Sequence, residues 1–340
     1  MLFNPVHRTR TCLALQGGGA HGAFTWGVLD RLLEVGRLDI EAISGTSAGA
    51  VNAVALADGM AAGGPEAARE ALDQMWRGVA DSAPAEFFSG TEPQDAGVNP
   101  AVKWMLAWTQ VLSPYELNPL KNDPLLDLLH QRIDFERLRR ASGIKLYLAA
   151  TEVSTGGLRL FETHELTAEM VRASTCLPTL HHAVEIDGKA YWDGGYVANP
   201  ALHPLIYDCS ARDLLIVLLS PLARAELPRS AQTIRERILE VSFGANLVRE
   251  MRDLAHARAY ARGGLFRLGR LERRLNALRF HMLEESAFMA QLGPDSKLVA
   301  HLPFLLALRD RGRACASAWL ARHGGALGKY SSVELEQLFG

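Results

Sequence analysis

Twice within the first 57 residues a short apolar run meets a cluster of glycines and small residues and then a stretch with helical spacing. This alternation constrains the fold more than any other feature of the chain. Residues 12–15 end at Gln16 and open into Gly17-Gly18-Gly19-Ala20-His21-Gly22, after which Phe24, Val28, Leu32 and Val35 recur at helical intervals. Residues 40–43 run into Ser44-Gly45-Thr46-Ser47-Ala48-Gly49 and then into the Ala-rich stretch 50–57. Strands separated by helices are joined by crossovers and run parallel, so the expected class is α/β, a mainly parallel central sheet covered by helices. In such sheets chemistry sits at the carboxyl ends of the strands, where both glycine turns fall.

Further strands are expected at 144–150, 158–162 and 214–219, with a hairpin of 183–186 and 189–192 around Asp187-Gly188. Residues 64–140 read as helices broken by Pro84, Pro93, Pro100, Pro114, Pro119 and Pro124. From about 229 onward the chain reads as helical, Arg-rich and free of strands. The expected division is therefore a catalytic domain at 10–220 and a helical region at 221–340.

A chain of 340 residues with 36 Lys+Arg against 38 Asp+Glu has no global basic surface for a nucleic acid, and none is expected as a partner. Cys12, Cys176, Cys209 and Cys315 are scattered without CxxC spacing, which suggests neither zinc nor a disulfide framework. No metal or organic cofactor is expected. Residues 1–11 lack the apolar core of a signal peptide, and runs such as 214–219 are far shorter than a membrane span. The expected location is the cytoplasm, with peripheral contact at the inner membrane surface.

Gly45-Thr46-Ser47-Ala48-Gly49 is a GxSxG sequence between a strand and a helix, the context in which a turn exposes a serine hydroxyl as nucleophile. The bland alternative is a structural turn. Gly17, Gly19 and Gly22 satisfy GxGxxG, but Asp39 precedes the second strand, where a ribose ligand should follow it. The other reading is an oxyanion hole, glycine N–H groups aimed at a tetrahedral intermediate. A base is also needed. In the order of an ordinary triad, Asp193 and then His203 would serve Ser47, yet the nucleophile follows only the second strand and no single histidine stands out. Asp193 differs from the other carboxylates because Gly194-Gly195 follow it and leave room at its side. A carboxylate within reach of the hydroxyl can act as the base itself.

With these three motifs in this order, the sequence resembles the patatin-like phospholipases, lipid acyl hydrolases with a Ser-Asp dyad. Ala173-Ser174-Thr175-Cys176-Leu177-Pro178 and Asn199-Pro200 add to the likeness, which covers about 10–220. The resemblance implies a patatin-like three-layer sandwich plus a helical C-terminal region, with Ser47 as nucleophile and Asp193 as base. It implies an oxyanion hole from Gly17, Gly18, Gly19 and Ala48, with Gly22, Gly45, Gly49, Gly194 and Gly195 supporting the turns. One departure is His21, where many relatives carry Arg or Lys, so preference for an anionic head group is not implied. Within enzymes, an esterase of short-chain or polymeric hydroxyacyl esters, or an acyltransferase, is the alternative. A silent lipid-binding scaffold is another.

Two outlying features invite a functional reading. Phe87-Phe88 and 98–112, with Trp104, Met105, Leu106 and Trp108, would form a lid or acyl-pocket wall, or else pack on the sheet. Leu265, Leu268, Leu271, Leu275, Leu278 and Met282 recur every three or four residues among Arg267, Arg270, Arg273, Arg274 and Arg279. That spacing predicts a cationic amphipathic helix, packed on the core or laid on an anionic membrane.

Overall fold

The computed structural model describes residues 8–83, 87–89, 96–108, 111–224, 227–262 and 269–339. Both early units form as expected. Strand β1 (Thr9–Leu15) leads through a 3-10 turn, Gly19–His21, into α1 (Gly22–Val35), and β2 (Leu38–Thr46) leads into α2 (Ala48–Gly63). Helix α3 (Pro65–Asp81), a small β3–β4 pair (Phe88–Ser89, Gly97–Val98), α4 (Pro100–Trp108), α5 (Pro114–Leu117), α6 (Pro124–Arg132) and α7 (Phe135–Ala141) follow. The chain then returns to the sheet with β5 (Lys145–Glu152) and β6 (Gly157–Glu162), crosses α8 (Ala168–Ser174), and forms the hairpin β7 (Val184–Ile186) and β8 (Lys189–Asp193). Asp187 and Gly188 both have positive φ in the hairpin turn, as the Asp-Gly pair predicts. Helix α9 (His203–Tyr207), β9 (Asp213–Val217), α10 (Ala231–Arg262), α11 (Arg270–Ala277), β10 (Arg279–Leu283), α12 (Ser286–Met289), α13 (Leu302–His323) and α14 (Leu335–Phe339) complete it.

Apart from the β3–β4 pair, the strands form one sheet in the order β10-β9-β1-β2-β5-β8-β7, with β6 also paired to β5. From β10 to β5 every neighbour is parallel. Alternate residues of each strand point to opposite faces. Leu13, Leu15, Ile43, Leu215 and Val217 accordingly pack with α1, α2, α3 and α13, whereas Cys12, Ala14, Ala42, Leu214 and Ile216 pack with α9, α10, α11 and α14. This is the expected three-layer sandwich.

The reading of the chain from about 229 onward as free of strands is corrected by β10, which adds Arg279–Leu283 in parallel to the edge of β9. In the predicted amphipathic helix only Arg270–Ala277 is helical among the described residues, and Leu265, Leu268 and Arg267 lie outside them. Leu275, Leu278 and Met282 are buried in the core. Arg274 donates to the carbonyls of Leu205, Ile206 and Ser210, and Arg279 pairs with buried Asp213 at 2.6 Å. These two arginines clamp the C-terminal region to the sheet rather than facing outward.

Helix α13 also closes on the first unit. A Cβ on Gly27 of α1 would stand 1.9 Å from the carbonyl oxygen of Arg309, and one on Gly312 of α13 would stand 2.0 Å from that of Phe24. The two backbones approach this closely only because neither position carries a side chain.

Candidate active site

The register of the sheet brings Ser47 and Asp193 together. Strand β6 takes one edge of β5 from Tyr147 to Glu152, which leaves β2 and β8 to share the other edge end to end. Thr46, the last residue of β2, pairs with Ala149, and Asp193, the last of β8, pairs with Ala150. The residue that follows Thr46 therefore meets the end of β8 at the next rung.

Ser47 has φ 54 and ψ −123 and precedes the first turn of α2. Positive φ in a residue with a side chain is a strained conformation, on the order of 1–3 kcal/mol, held here by its surroundings. Those surroundings are the glycines of the motif. A Cβ on Gly45 would come within 2.6 Å of the carbonyl oxygen of Gly49, and one on Gly49 within 2.2 Å of that of Leu15. The N–H of Ser47 donates to the buried Ser174 hydroxyl at 3.0 Å, and the Thr46 hydroxyl donates to the carbonyl of Ala198 at 2.9 Å. Ser47 remains partly exposed while its neighbours in β2 and α2 are buried.

Asp193 is 1% exposed. Its N–H donates to the carbonyl of Cys176, its carbonyl accepts from Thr151, and its Oδ1 accepts from the N–H of Gly195 at 2.7 Å. Its Oδ2 is buried with no hydrogen-bond partner among the described residues. Burial pushes this carboxyl up to about 6, against the opposing pull of the Gly195 N–H, the Ser47 hydroxyl and the Arg172 guanidinium. An ionised, under-satisfied oxygen beside a serine hydroxyl is a proton acceptor. Among the described residues no histidine bonds to Ser47 or Asp193. His181 is driven down to about 4 by burial, His182 contacts the carbonyl of Pro114, and His203 sits in α9.

The glycine loop divides. The N–H of Gly17 donates to Asn199 Oδ1 at 2.7 Å, so Gly17 is removed from the expected donors; its place is structural, its Cα lying against Ser47 and Thr46. The N–H groups of Gly18 and Gly19 and of Ala48, the first residue of α2, make no hydrogen bond among the described residues. Gly19 adopts φ 59. Gly22 lies against Ala48 and Trp76, Gly194 against the carbonyl of Ala149, and Gly195 against Phe243. His21 is buried, bonds Ser296 through Nε2 at 2.7 Å, and is held down at about 3 by burial. It is neutral near neutral pH and supplies no cation at this position.

Several residues of the site were not singled out by sequence. Ser174 and Asn199 were visible only as parts of short likenesses, yet they fix Ser47 and Gly17. Arg172 is buried and ion-paired with Asp123 at 2.5 Å. Lys297 comes from the C-terminal region, and its carbonyl backs Gly19. No spacing rule links residue 297 to residue 19.

Among solved structures the chain is similar to VipD from Legionella pneumophila, at 16% identity and a TM-score of 0.43, over 94% of this chain and 67% of that one. It is also similar to the complex of ExoU with SpcU from Pseudomonas aeruginosa, at 16% identity and a TM-score of 0.32, over 94% and 80%. Both likenesses are distant. No curated protein sequence matches the chain. A family model described as patatin-like phospholipase matches residues 13–206, from the strand before the glycine loop to beyond Asp193 and Asn199. Covering more than half of the chain and every one of these motifs, that match shows that the chain belongs to the patatin-like phospholipase family.

Proposed function

We propose that this chain is a serine lipid acyl hydrolase that cleaves carboxylic esters through an acyl-enzyme on Ser47, with Asp193 as the base. Membership of the family supports the lipid substrate. The observation that carries the chemistry is the buried, unpartnered Oδ2 of Asp193 at the rung where β2 ends.

In the first step Ser47 Oγ attacks the ester carbonyl and its proton passes to Asp193 Oδ2. The oxyanion that forms is met by the N–H groups of Gly18, Gly19 and Ala48, the last aided by the positive end of the α2 dipole. The proton then goes to the departing alcohol oxygen as the C–O bond breaks. Water repeats the sequence on the acyl-enzyme, with Asp193 taking its proton and returning it to Ser47. Gly45, Gly49, Gly194 and Gly195 hold the two turns, and no cofactor enters any step.

Fatty-acid release from phospholipid and from a soluble short-chain ester tests the reading. Ser47→Ala is expected to fall to background on both, and Asp193→Asn to lose about 10²- to 10⁴-fold in kcat, the usual contribution of a general base. His181→Ala and His203→Ala are each expected to keep most of the rate. A histidine variant as damaged as Asp193→Asn would replace the dyad with a triad.

A further inference from the structure

The first half of α10 carries its apolar residues on the wrong side for packing. Ile234, Ile238 and Val241 follow the i, i+4, i+7 spacing of a single helix face and are 42%, 58% and 47% exposed. The core side of the same helix is marked by Phe243, Leu247, Met251 and Leu254. At 3.6 residues per turn the exposed stripe lies roughly 150° round the helix from that side, so the core cannot absorb it. A second exposed apolar element is α4, where Trp104 and Trp108, 67% and 42% exposed, stack edge to face at 5.5 Å.

Both elements are fastened to the catalytic loops. Phe243 lies against Gly195 and its carbonyl accepts from Asn199 Nδ2, so α10 adjoins the turn after Asp193. Lys103 of α4 pairs with Asp295 at 3.2 Å; the next two residues are Ser296, bonded to His21, and Lys297, whose carbonyl backs Gly19. The exposed stripe is flanked by Arg229 and Arg235, both exposed and without an ion pair among the described residues. Apolar side chains rimmed by free cations beside a site for acyl esters match one partner chemistry, a bilayer surface with anionic head groups.

We infer that the stripe Ile234–Ile238–Val241 of α10, with Trp104 and Trp108 of α4, is the face by which this protein docks on an anionic lipid bilayer, holding the Ser47 site toward its substrate. The inference rests on the lipid-hydrolase reading for the substrate but not for the docking itself. It moves the membrane contact from the Arg-rich segment near 270–279, which is fastened to the core, to the rim of the catalytic loops.

The test uses the full chain and two double variants at exposed positions, Ile234→Asp/Ile238→Asp and Trp104→Ser/Trp108→Ser. Binding is measured by sedimentation with vesicles of phosphatidylcholine containing phosphatidylglycerol, at low and high salt. Each variant is expected to weaken binding by about tenfold or more, because interfacial affinity scales with buried apolar area. Hydrolysis of a soluble short-chain ester by Ile234→Asp/Ile238→Asp should stay at the wild-type rate. Raising salt should weaken wild-type binding without abolishing it, since charge is screened and apolar burial is not. Wild-type binding by both variants, or no vesicle binding by the wild type, would overturn the docking face and leave the hydrolase reading untouched. A wild-type dimer that the substitutions split would overturn it in favour of self-association. Loss of soluble-ester turnover in the wild type itself would strike the hydrolase reading alone.

Discussion

Asp193 shows how burial and basicity are linked. Sealed from water with one oxygen unpartnered, its carboxyl binds a proton at about 6 rather than at its ordinary value of 3.8. With Asp193 as the proposed base, the rate is expected to fall as pH drops through about 6, where its carboxyl becomes protonated; a pH profile on a soluble ester with no acid limb between pH 5 and 7 would contradict this. The same shift bears on stability. A group whose folded pKa is raised holds its proton more tightly when folded, so its contribution is favourable at low pH and is lost as pH rises from about 4 through about 6. Asp193→Asn is accordingly expected to be more stable than wild type at pH 8, by up to about 3 kcal/mol, with the difference gone by about pH 4. Urea unfolding at the two pH values measures it. Ser47, Asp193 and their glycines were legible in the sequence because a strained turn demands particular residues in a contiguous run. Arg172 and Lys297 were not, since they reach the site by tertiary packing and have no local signature.

Among the elements, the decisive arrangement is the shared edge of β5, along which β2 and β8 run toward each other. The hairpin at Asp187-Gly188 was legible from its turn, but its head-on approach to β2 was not, because strand order is a long-range property. Strand β10 was missed for a different reason. Leu275, Leu278 and Met282 keep a helical spacing across the end of α11 and into β10, so periodicity carried the helix five residues past its end. Helix α13 makes a sharper prediction. Gly312→Val would drive a branched side chain into the Phe24 carbonyl, at 2.0 Å from the first added carbon. The expected cost is about 2–3 kcal/mol, the upper range for overpacking, read as a lower urea midpoint. An unchanged midpoint would show that the α1–α13 crossing can open without penalty.

Across the whole molecule, the C-terminal region is part of the catalytic fold. Strand β10 extends the sheet beside β9, Arg279 neutralises buried Asp213, and α13 covers α1. A chain truncated after Arg224 is expected to lack cooperative unfolding and ester hydrolysis, because the apolar faces of β9 and α1 would be uncovered. A soluble, active truncation would instead make 10–220 an independent domain. The division near 220 was an expectation from composition; the interlocking of its two sides was not legible, since nothing local ties residue 281 to residue 213 or residue 312 to residue 24. The central claim, that Asp193 alone activates Ser47, is tested most directly by reacting the intact protein with a fluorophosphonate and locating the adduct by peptide mass spectrometry. The expected result is a single adduct on Ser47, absent in Ser47→Ala, formed far more slowly in Asp193→Asn and at the wild-type rate in His181→Ala and His203→Ala. An adduct on another serine, or undiminished labelling of Asp193→Asn, would contradict the account.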